Sequence, residues 1–527
     1  MNKKALFIPA LLGALLLGGT GCTKLDVPVN SQLTADNFPQ TQDQFVAASL
    51  PVYTQLRSQY PLAYWFVQEL TTEEAIIPAR GGNWYDNSMY KDLHLHQYTP
   101  DHQFAETCWS WGFNGISTCN RILQLFAPLP DNAAKATTVA EIKATRALYY
   151  FFMMDLYGNV PIVTTFGDTS LPGTRPRAEV FSFIESELKA AKPLLSTDVS
   201  AATYGRPTKW MVYATLAKMY INAQYYIGKD MNTETVVVCD SLIQGNKFGL
   251  DDDYLGMFKI GNGPQIKDFI FAIPYDNVQA QGQYFGRYSL HALLAKKYSL
   301  PFVPSNAEST IPEFYNLFND ATDIRNGMWL AGPQYDYQGK PITVNTTKVG
   351  VDGSYNGADK DQPVTYQLNF TPEIKIKNLT SFDLGTDQLA LASGIRCNKF
   401  YPDSSATTRN QSNDVPVFRY ADILLTKAEA ILRGASPTMG HTALSLVNQV
   451  RARARATPFS SVDLSSLLDE RGRELAYEAW RRNDLIRFGK YESKWGYKTD
   501  DNVDKRLFPI PTQERTVNPR LIQNHGY

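Results

Sequence analysis

The sequence predicts a mainly α-helical protein in which pairs of helices form a scaffold and a large loop-rich insertion interrupts it. Two observations predict this class. Apolar residues recur every three or four positions through an N-terminal part (residues 38–245) and a C-terminal part (residues 419–527), which is the spacing of one buried helix face. Over residues 246–418 this period fades, and Gly, Pro, Asn, Asp and Tyr become frequent around short strand-like runs. We therefore expect a helical frame that carries its loops on one long insertion.

The first 21 residues have the features of an export signal. Two lysines precede an apolar run over residues 5–18, which is too short to span a bilayer, since spanning takes ~20 apolar residues. The small residues before Cys22 resemble the cleavage box of bacterial lipoprotein signal peptides. That resemblance implies removal of residues 1–21, acylation of Cys22, and a polar tether over residues 22–37. An ordinary secretory signal, in which Cys22 is incidental, is the alternative.

Helical periodicity predicts about four helix pairs joined by short links, near residues 41–126, 138–196, 208–245 and 419–454. Within the third pair, large, small and aromatic residues copy the spacing of the first helix of a tetratricopeptide unit, so we expect a TPR-like scaffold. Individual helices are predicted at residues 141–157, 177–195, 208–226, 233–243, 420–432, 441–453 and 464–488, and short strands at residues 268–273 and 364–369.

The charge balance argues against one class of partner. The chain has 51 Lys and Arg against 52 Asp and Glu, a net charge of −1. A neutral surface does not attract phosphate backbones, so nucleic acid is a poor partner. Four cysteines besides Cys22 are scattered without a metal or redox spacing. We interpret these four as small buried hydrophobic residues, and the spacing leaves open whether a disulfide forms.

Five stretches carry a family resemblance, and they cover both ends and the middle of the chain. They are Cys22 with Lys24-Leu25-Asp26; residues 144–151 (ATRALYYF) running to 155–161 (DLYGNVP); residues 419–425 (RYADILL) with 428–430 (AEA); residues 470–489; and residues 508–511 (FPIP) running to 526–527. Together they resemble the SusD/RagB lipoproteins. The resemblance implies a tetratricopeptide-bearing helical fold and a lipid-anchored, surface-exposed protein of the outer membrane. It also implies a SusC-like TonB-dependent transporter as partner and a glycan or peptide nutrient as ligand.

Residues 79–87 combine a double glycine, which allows a tight turn, with aromatic and polar side chains. A flat ring can stack on a sugar face while nearby polar groups hydrogen-bond the sugar hydroxyls. The alternative interpretations are a turn whose Trp packs onto the helical body and, in the insertion, an aromatic mini-core. The candidate ligand-binding residues are Arg80, Asn83, Trp84, Tyr85 and Asp86 in this segment and Trp329, Tyr335 and Tyr284 in the insertion.

Paired carboxylates are the feature that a glycoside hydrolase would require. Glu474 and Glu478 are spaced one helical turn apart, but arginines surround them, which favours structural ion pairs over acid–base catalysis. We therefore expect a binding protein without catalytic residues. A surface glycoside hydrolase and a TPR scaffold that binds only protein or peptide are the alternatives.

Two groups of residues have the chemistry of metal ligands. His94 and His96 would face one side of a strand, yet no acidic or cysteine cluster lies beside them, so we interpret them and His102 as hydrogen-bonding histidines. Residues 251–253 are aspartates that offer oxygen ligands to a structural calcium ion. Because they lack a 12-residue loop pattern, a solvated turn is preferred, and no metal or cofactor is expected.

Overall fold

α-Helices form the frame of the protein in the computed structural model, which describes residues 38–527. The expected signal peptide, the Cys22 lipidation site and the tether lie outside the described residues. Residues Thr41–Tyr527 pack as one unit, and within the described part no helix is both long and apolar enough to cross a bilayer. In chain order the α-helices are α1 (Gln42–Gln59), α2 (Trp65–Glu69), α3 (Met89–His94), α4 (Gln103–Phe126), α5 (Ala133–Tyr157), α6 (Arg177–Ala191), α7 (Lys209–Ile221), α8 (Ala223–Ile227), α9 (Asn232–Gln244), α10 (Phe285–Ser289), α11 (Ala295–Tyr298), α12 (Pro312–Tyr315), α13 (Lys348–Val351), α14 (Gln388–Ala392), α15 (Tyr420–Leu432), α16 (Ala443–Arg453), α17 (Leu464–Leu475), α18 (Arg481–Arg487) and α19 (Thr512–Val517).

The expected helix pairs are confirmed. Helix α1 packs against α4, α5 against α6, α7 against α9, and α15 against α16. Contacts between α4 and α5 and between α9 and α15 join these pairs into one scaffold. Because each helix buries its apolar face against a partner, the pairs stabilise one another rather than standing alone.

Two glycines let α4 and α5 approach closely. A Cβ atom at Gly112 would overlap the sulfur of Met153, and one at Gly115 would overlap the ring of Tyr149. Gly158 caps the C-terminus of helix α5 with a φ of +70°. Glycine adopts this angle readily because it has no Cβ atom.

The cysteines of the described part are all buried and unpaired, as their scattered positions indicated. Burial raises the pKa of Cys108 and Cys119, which keeps both thiols protonated. They act as small core residues rather than as redox or metal groups.

The single helix predicted over residues 464–488 is wrong. The chain leaves helical geometry between α17 and α18, where Tyr477 and Ala479 have φ of +62° and +63°. The carboxylates of Glu74 and Glu69 accept hydrogen bonds from the backbone N–H groups of Tyr477 and Ala479, respectively. These acceptors come from residues 403 and 410 positions earlier in the chain. Local periodicity could not reveal the break, because distant carboxylates stabilise it.

Short antiparallel strand pairs organise the insertion. The strands are β1 (Phe269–Ile273), β2 (Trp329–Leu330), β3 (Gly332–Pro333), β4 (Thr343–Thr347), β5 (Pro363–Gln367), β6 (Asn369–Phe370), β7 (Arg396–Cys397) and β8 (Val415–Arg419). Strand β1 pairs with β8, β2 with β7, β3 with β6 and β4 with β5. The β1–β8 pair sets Phe269 opposite Arg419, so β1 lies beside the C-terminal end of the insertion, where α15 begins. Strands β1, β5 and β6 confirm the two predicted strand regions.

A buried network of ion pairs connects this strand pair to α17. Nη1 of Arg419 lies 2.9 Å from Oδ2 of Asp268 and 2.8 Å from Oε1 of Glu474. Nε of the same arginine lies 2.6 Å from Oε2 of Glu478, and Arg325 pairs with Glu474 at 3.1 Å. Burial alone would raise the pKa of Glu474, but the surrounding guanidinium groups hold it well below its usual range. The interpretation of Glu474 and Glu478 as structural ion pairs is confirmed.

Candidate ligand-binding face

The loop over residues 81–88 has a backbone that is rich in left-handed conformations. Glycine adopts positive φ freely. At each other residue of the loop, a positive φ costs of order 1–3 kcal/mol and persists only where the surrounding structure stabilises it. The contacts that hold the loop therefore decide which side chains it presents. The positive φ values are those of Gly81 (64°), Gly82 (87°), Trp84 (69°), Asp86 (37°), Asn87 (53°) and Ser88 (68°).

Arg80 anchors the start of this loop in the protein interior. Its guanidinium donates hydrogen bonds to the carbonyl oxygens of Ala307 and Leu391 at 3.2 and 2.7 Å. Two further acceptors, the Ser393 carbonyl and the Ser309 hydroxyl, lie at 3.1 and 2.6 Å. Only 3% of Arg80 is exposed. The predicted ligand contact of Arg80 is not favoured, because its donors already serve the fold.

The Trp84 side chain lies on the inner side of the loop. Its indole N–H donates to the carbonyl oxygen of Ser305 at 3.0 Å. Its ring packs edge-on against Tyr90 and Tyr288, with centroid distances of 5.9 and 5.5 Å. The side chain is half-buried. Part of the ring thus packs onto the body, as the alternative interpretation held, and the rest is accessible.

Tyr85, Asn83 and Asp86 form the outer side of the loop. The Tyr85 side chain is 42% exposed, and the other two residues are exposed as well. Within residues 38–527, neither the Asn83 amide nor the Asp86 carboxylate has a hydrogen-bond or ion-pair partner. An exposed aromatic ring therefore stands beside an amide and a carboxylate that the fold leaves available.

Helix α10 and its preceding residue bring further aromatic and basic side chains to the loop. The guanidinium carbon of Arg287 lies 5.1 Å from the ring centroid of Tyr288. Burial raises the pKa of Tyr288, and the nearby positive charges of Arg287 and Arg409 oppose that rise. The half-buried Tyr284 raises the pKa of Tyr288 further. Nε of Arg287 also donates to the Ser305 hydroxyl at 3.4 Å, and the carbonyl of the same residue accepts from Trp84.

We call the surface formed by residues 83–86, Tyr284, Arg287 and Arg409 the loop face. It combines aromatic rings with an amide, a carboxylate and two guanidinium groups. Such a combination suits a ligand that has flat apolar faces and many hydroxyl groups, as sugars do. Asp86 is the one carboxylate of the loop face, whereas glycosidic cleavage generally uses two carboxylates about 5–9 Å apart.

Two family models match most of the described chain. The model described as the SusD family matches residues 246–527. A second model, described as starch-binding associating with outer membrane, matches residues 38–221. The first match alone covers more than half of the sequence. The chain belongs to the SusD family.

The SusD-family likeness extends over whole relatives. Starch-binding protein SusD of Bacteroides thetaiotaomicron is 24% identical, and the match covers 99% of this chain and 99% of the relative. A crystal structure of a SusD superfamily protein from Parabacteroides distasonis has a TM-score of 0.71 at 22% identity, over 94% of this chain and 100% of that one. Surface glycan-binding protein A from Bacteroides thetaiotaomicron, in complex with laminarihexaose, has a TM-score of 0.67 at 20% identity, over 92% of this chain and 100% of that one. The mainly helical, TPR-like fold expected from the sequence is confirmed.

Trp329 belongs to the interior of this SusD-family chain. Only 8% of the residue is exposed. Its ring packs edge-on against Phe318, Tyr315 and Tyr477, with centroid distances of 5.0, 5.9 and 5.9 Å. The predicted ligand contact of Trp329 is not favoured, because packing against these rings buries it. The alternative of an aromatic mini-core describes it correctly.

Tyr335 lies on a turn that is separate from the loop face. It pairs with Pro341 across the turn, which the backbone N–H of Asp336 closes by donating to Lys340 at 2.8 Å. The Tyr335 side chain is exposed. No hydrogen bond or ring contact in the described part of the chain connects it to the loop face. Its ligand contact stays a prediction, and the structure does not bring it together with Trp84.

The strand expected at His94 and His96 is wrong. His94 ends α3, and both residues are buried, with the His96 ring 4.4 Å from that of Tyr491 in a stacked arrangement. Burial lowers the pKa of His94 to about 4. Nε2 of His96 lies 2.9 Å from the Thr71 carbonyl oxygen, and Nε2 of His102 lies at the same distance from a carbonyl. Among the described residues, no group of three or more His, Cys, Asp or Glu is arranged to hold a metal ion.

Three residues of this region, Arg287, Arg409 and Asp383, were not predicted from the sequence. Arg287 stands between two tyrosines of a glycine-flanked stretch, so its neighbours gave a usable signal. Asp383 contacts Gly81 across 302 positions of sequence, and Arg409 is similarly remote. No local pattern pairs such distant residues.

Proposed function

We propose that this chain is a lipid-anchored protein on the outer surface of the outer membrane that binds nutrient polymers at the loop face. The ligand is most simply an oligosaccharide or polysaccharide. On this proposal the protein passes the ligand to a SusC-like TonB-dependent transporter and does not cleave it. The description of the N-terminal family model, which names association with the outer membrane, supports the location.

The observation that carries the proposal is the exposed Tyr85 ring, which directly follows the half-buried Trp84 in the loop. Folding normally buries such rings, since burying an aromatic side chain contributes about 1.5–3 kcal/mol. Here a strained backbone holds Tyr85 outward beside the free polar groups of Asn83 and Asp86. A sugar ring can cover the aromatic surface while its hydroxyls bond to those groups. The structure of surface glycan-binding protein A in complex with laminarihexaose supports a glycan as the ligand class.

Binding without turnover is supported by the state of the carboxylates. Glu474 and Glu478, the pair that the sequence offered to a hydrolase, are buried and bound to arginines. A general acid must hold a proton near neutral pH, and the lowered pKa of Glu474 opposes this. The loop face itself offers one carboxylate, Asp86.

A second candidate function, binding of protein or peptide, is favoured by a groove on the helical scaffold. The groove has a volume of about 590 Å³ and is lined by Tyr225, Arg433 and Arg506 among others. Stacked helix pairs commonly use such concave surfaces to bind extended partners. A peptide nutrient or the transporter itself would suit this groove, whereas the loop face suits sugars.

The proposed lipid anchor is tested by finding the cell fraction to which the protein is sorted. In a Cys22→Ala variant the proposed acylation site is lost, so the protein should leave the outer-membrane fraction and be soluble or retained before sorting. Fractionation of cells with immunodetection measures this. Recovery of the variant in the outer membrane at the wild-type level would contradict the anchor.

The binding function is tested by titration calorimetry on the mature protein, alongside a reducing-sugar assay with the same compounds. The panel contains laminarihexaose, maltohexaose, and fragments of mannan and pectin. Binding of one compound without release of reducing ends is expected. Release of reducing ends would favour the hydrolase, and no binding, together with capture of peptides, would favour the helical groove.

A further inference from the structure

The carboxylate of Asp383 holds the double glycine at the start of the 81–88 loop. Oδ1 of Asp383 accepts a hydrogen bond from the Gly81 N–H at 3.0 Å, and Oδ2 accepts one from the Gly82 N–H at 2.8 Å. Oδ1 also accepts from the N–H of Gly385 at 2.7 Å. One side chain thus accepts from two successive peptide groups with positive φ, in a turn that the Arg80 N–H also closes by donating to the Asn83 carbonyl at 2.8 Å.

The segment that carries Asp383 is itself firmly held. The Asp383 N–H donates to the Asn378 carbonyl at 2.9 Å, and the Asn378 N–H donates back at 3.1 Å, which closes a turn. The neighbouring Phe382 is buried, with its ring centroid 5.7 Å from that of Tyr497. Asp383 therefore presents its carboxylate from a fixed base.

Backbone hydrogen bonds join the two segments just before the glycines. The Ala79 N–H donates to the Phe382 carbonyl at 2.9 Å, and the Leu384 N–H donates to the Ala79 carbonyl at 3.0 Å. Arg80 then turns its side chain inward to the Ala307 and Leu391 carbonyls. The chain leaves this double attachment at the glycines and reaches Trp84 two residues later. Small rotations at Gly81 and Gly82 would swing the aromatic residues away from α10.

We infer that Asp383 is a positioning residue, which touches no ligand but fixes loop 81–88 in the conformation that presents Trp84, Tyr85 and Asp86. The inference rests on the proposed function for its effect on binding. Its effect on the loop is independent of any ligand. No sequence pattern links Asp383 to this role, because the contact spans 302 positions.

The expected consequence is a loss of affinity rather than a loss of fold. Without the carboxylate, the glycine peptides explore several conformations, and a ligand must select the competent one. We expect Asp383→Ala to weaken binding by about tenfold or more and Asp383→Asn to weaken it by a few fold. The asparagine keeps one acceptor oxygen, so it can hold one of the two glycine N–H groups.

The test measures two quantities on the whole mature protein, which begins at Cys22. Amide hydrogen–deuterium exchange of peptides that cover residues 81–88 reports the order of the loop, and calorimetry with the strongest binder of the panel, laminarihexaose first, reports affinity. Asp276→Ala is the matched control. Asp276 likewise accepts three backbone N–H groups on an exposed turn, from Val278, Gln279 and Ala280 at 2.7, 2.6 and 2.9 Å.

Faster exchange over residues 81–88 and weaker binding in Asp383→Ala, with intermediate values in Asp383→Asn and neither change in Asp276→Ala, are the expected results. Unchanged exchange in Asp383→Ala overturns the inference whatever the ligand does. Faster exchange with unchanged affinity also overturns it. If the wild type binds no member of the panel, the proposed function fails, and the exchange result alone decides whether Asp383 orders the loop.

Discussion

Charged side chains form buried ion pairs in the network around α17, whereas on the loop face they have no ion-pair partner among the described residues. Around α17, Arg419 contacts Asp268, Glu474 and Glu478 within 3 Å, and none of these side chains is more than 2% exposed. On the loop face, Asp86, Arg287 and Arg409 have no ion-pair partner within the described residues. One region satisfies every charge internally, whereas the other leaves charges to the solvent.

This difference separates residues that maintain the fold from residues available for binding. A buried charge must be paired, because removing one partner strands the other in a medium of low polarity. An exposed charge has water as an alternative partner, so the fold gains little by pairing it. Exposed, unpaired polar groups beside an aromatic ring are therefore a better guide to a ligand site here than the number of charges.

The largest expected effect is the loss of stability in a variant that breaks the buried network. Glu474→Ala leaves Arg419, Arg453 and Arg325 without a shared carboxylate, and the free energy of unfolding should fall by about 3–5 kcal/mol. Chemical denaturation measures it. The control is Glu373→Ala, which removes an exposed pair with Lys375 and should cost at most ~1 kcal/mol. Equal losses in the two variants would contradict the distinction between the regions.

The second effect concerns a buried acid that the network does not neutralise. Burial raises the pKa of Glu308 to about 8, above the ordinary value near 4.3 that it has in the unfolded chain. The folded state therefore holds a proton that the unfolded state releases, so stability is full at acidic pH and is lost as pH rises through 8. Two pH units separate pH 6 from this folded pKa, so between pH 6 and pH 9 the loss should be roughly 3 kcal/mol.

Glu308→Gln removes this titration while keeping the shape of the side chain. Its stability should fall less steeply between pH 6 and pH 9 than that of the wild type, although Glu69, whose pKa burial also raises to about 8, keeps some of the slope. Denaturant midpoints at several pH values measure the difference. Parallel curves for the two proteins would show that Glu308 is ionised throughout.

The third effect divides the two aromatic residues of the loop. Tyr85→Ala should weaken glycan binding about tenfold and leave the melting temperature unchanged, because Tyr85 is exposed. Trp84→Ala should weaken binding and also lower the melting temperature, because its ring packs on Tyr90 and Tyr288. Tyr366→Ala, which removes an exposed tyrosine of β5 outside the loop face, serves as the control. A fall in melting temperature for Tyr85→Ala would place that ring in the core.

The smallest effect concerns the unpaired charge on α10. Arg287→Gln should reduce affinity a few fold without changing stability, since it removes a charged donor but no ion pair. Calorimetry and thermal melting on the same preparation measure both. If stability falls by as much as in Glu474→Ala, the loop face is part of the scaffold after all.

Much of the fold could be predicted because helix pairs are local. The period of apolar residues located α5, α6, α15 and their neighbours, and the pairs meet as expected. The break at Tyr477 and Ala479 could not be predicted, since Glu74 and Glu69 supply its hydrogen bonds from a distant segment. The predicted domain boundaries at residues 245 and 418 stay a prediction.

The candidate site could be predicted only in part, for a similar reason. The glycine–aromatic segment correctly indicated a loop that presents Tyr85, and Trp84 proved to be both packed and accessible. Arg80 and Trp329 have the same chemistry as ligand residues, and only their contacts reveal that they are buried. Residue type indicates what a side chain can bind, but burial decides whether it is available.

The central claim is that the loop face, rather than the helical groove, binds the nutrient polymer. A crystal structure with the strongest binder of the oligosaccharide panel tests it most directly. We expect a sugar ring against Tyr85 and Trp84, with hydroxyls bonded to Asn83, Asp86 or Arg287. Sugar bound instead in the groove beside Tyr225 and Arg506, with the loop face empty, would contradict it.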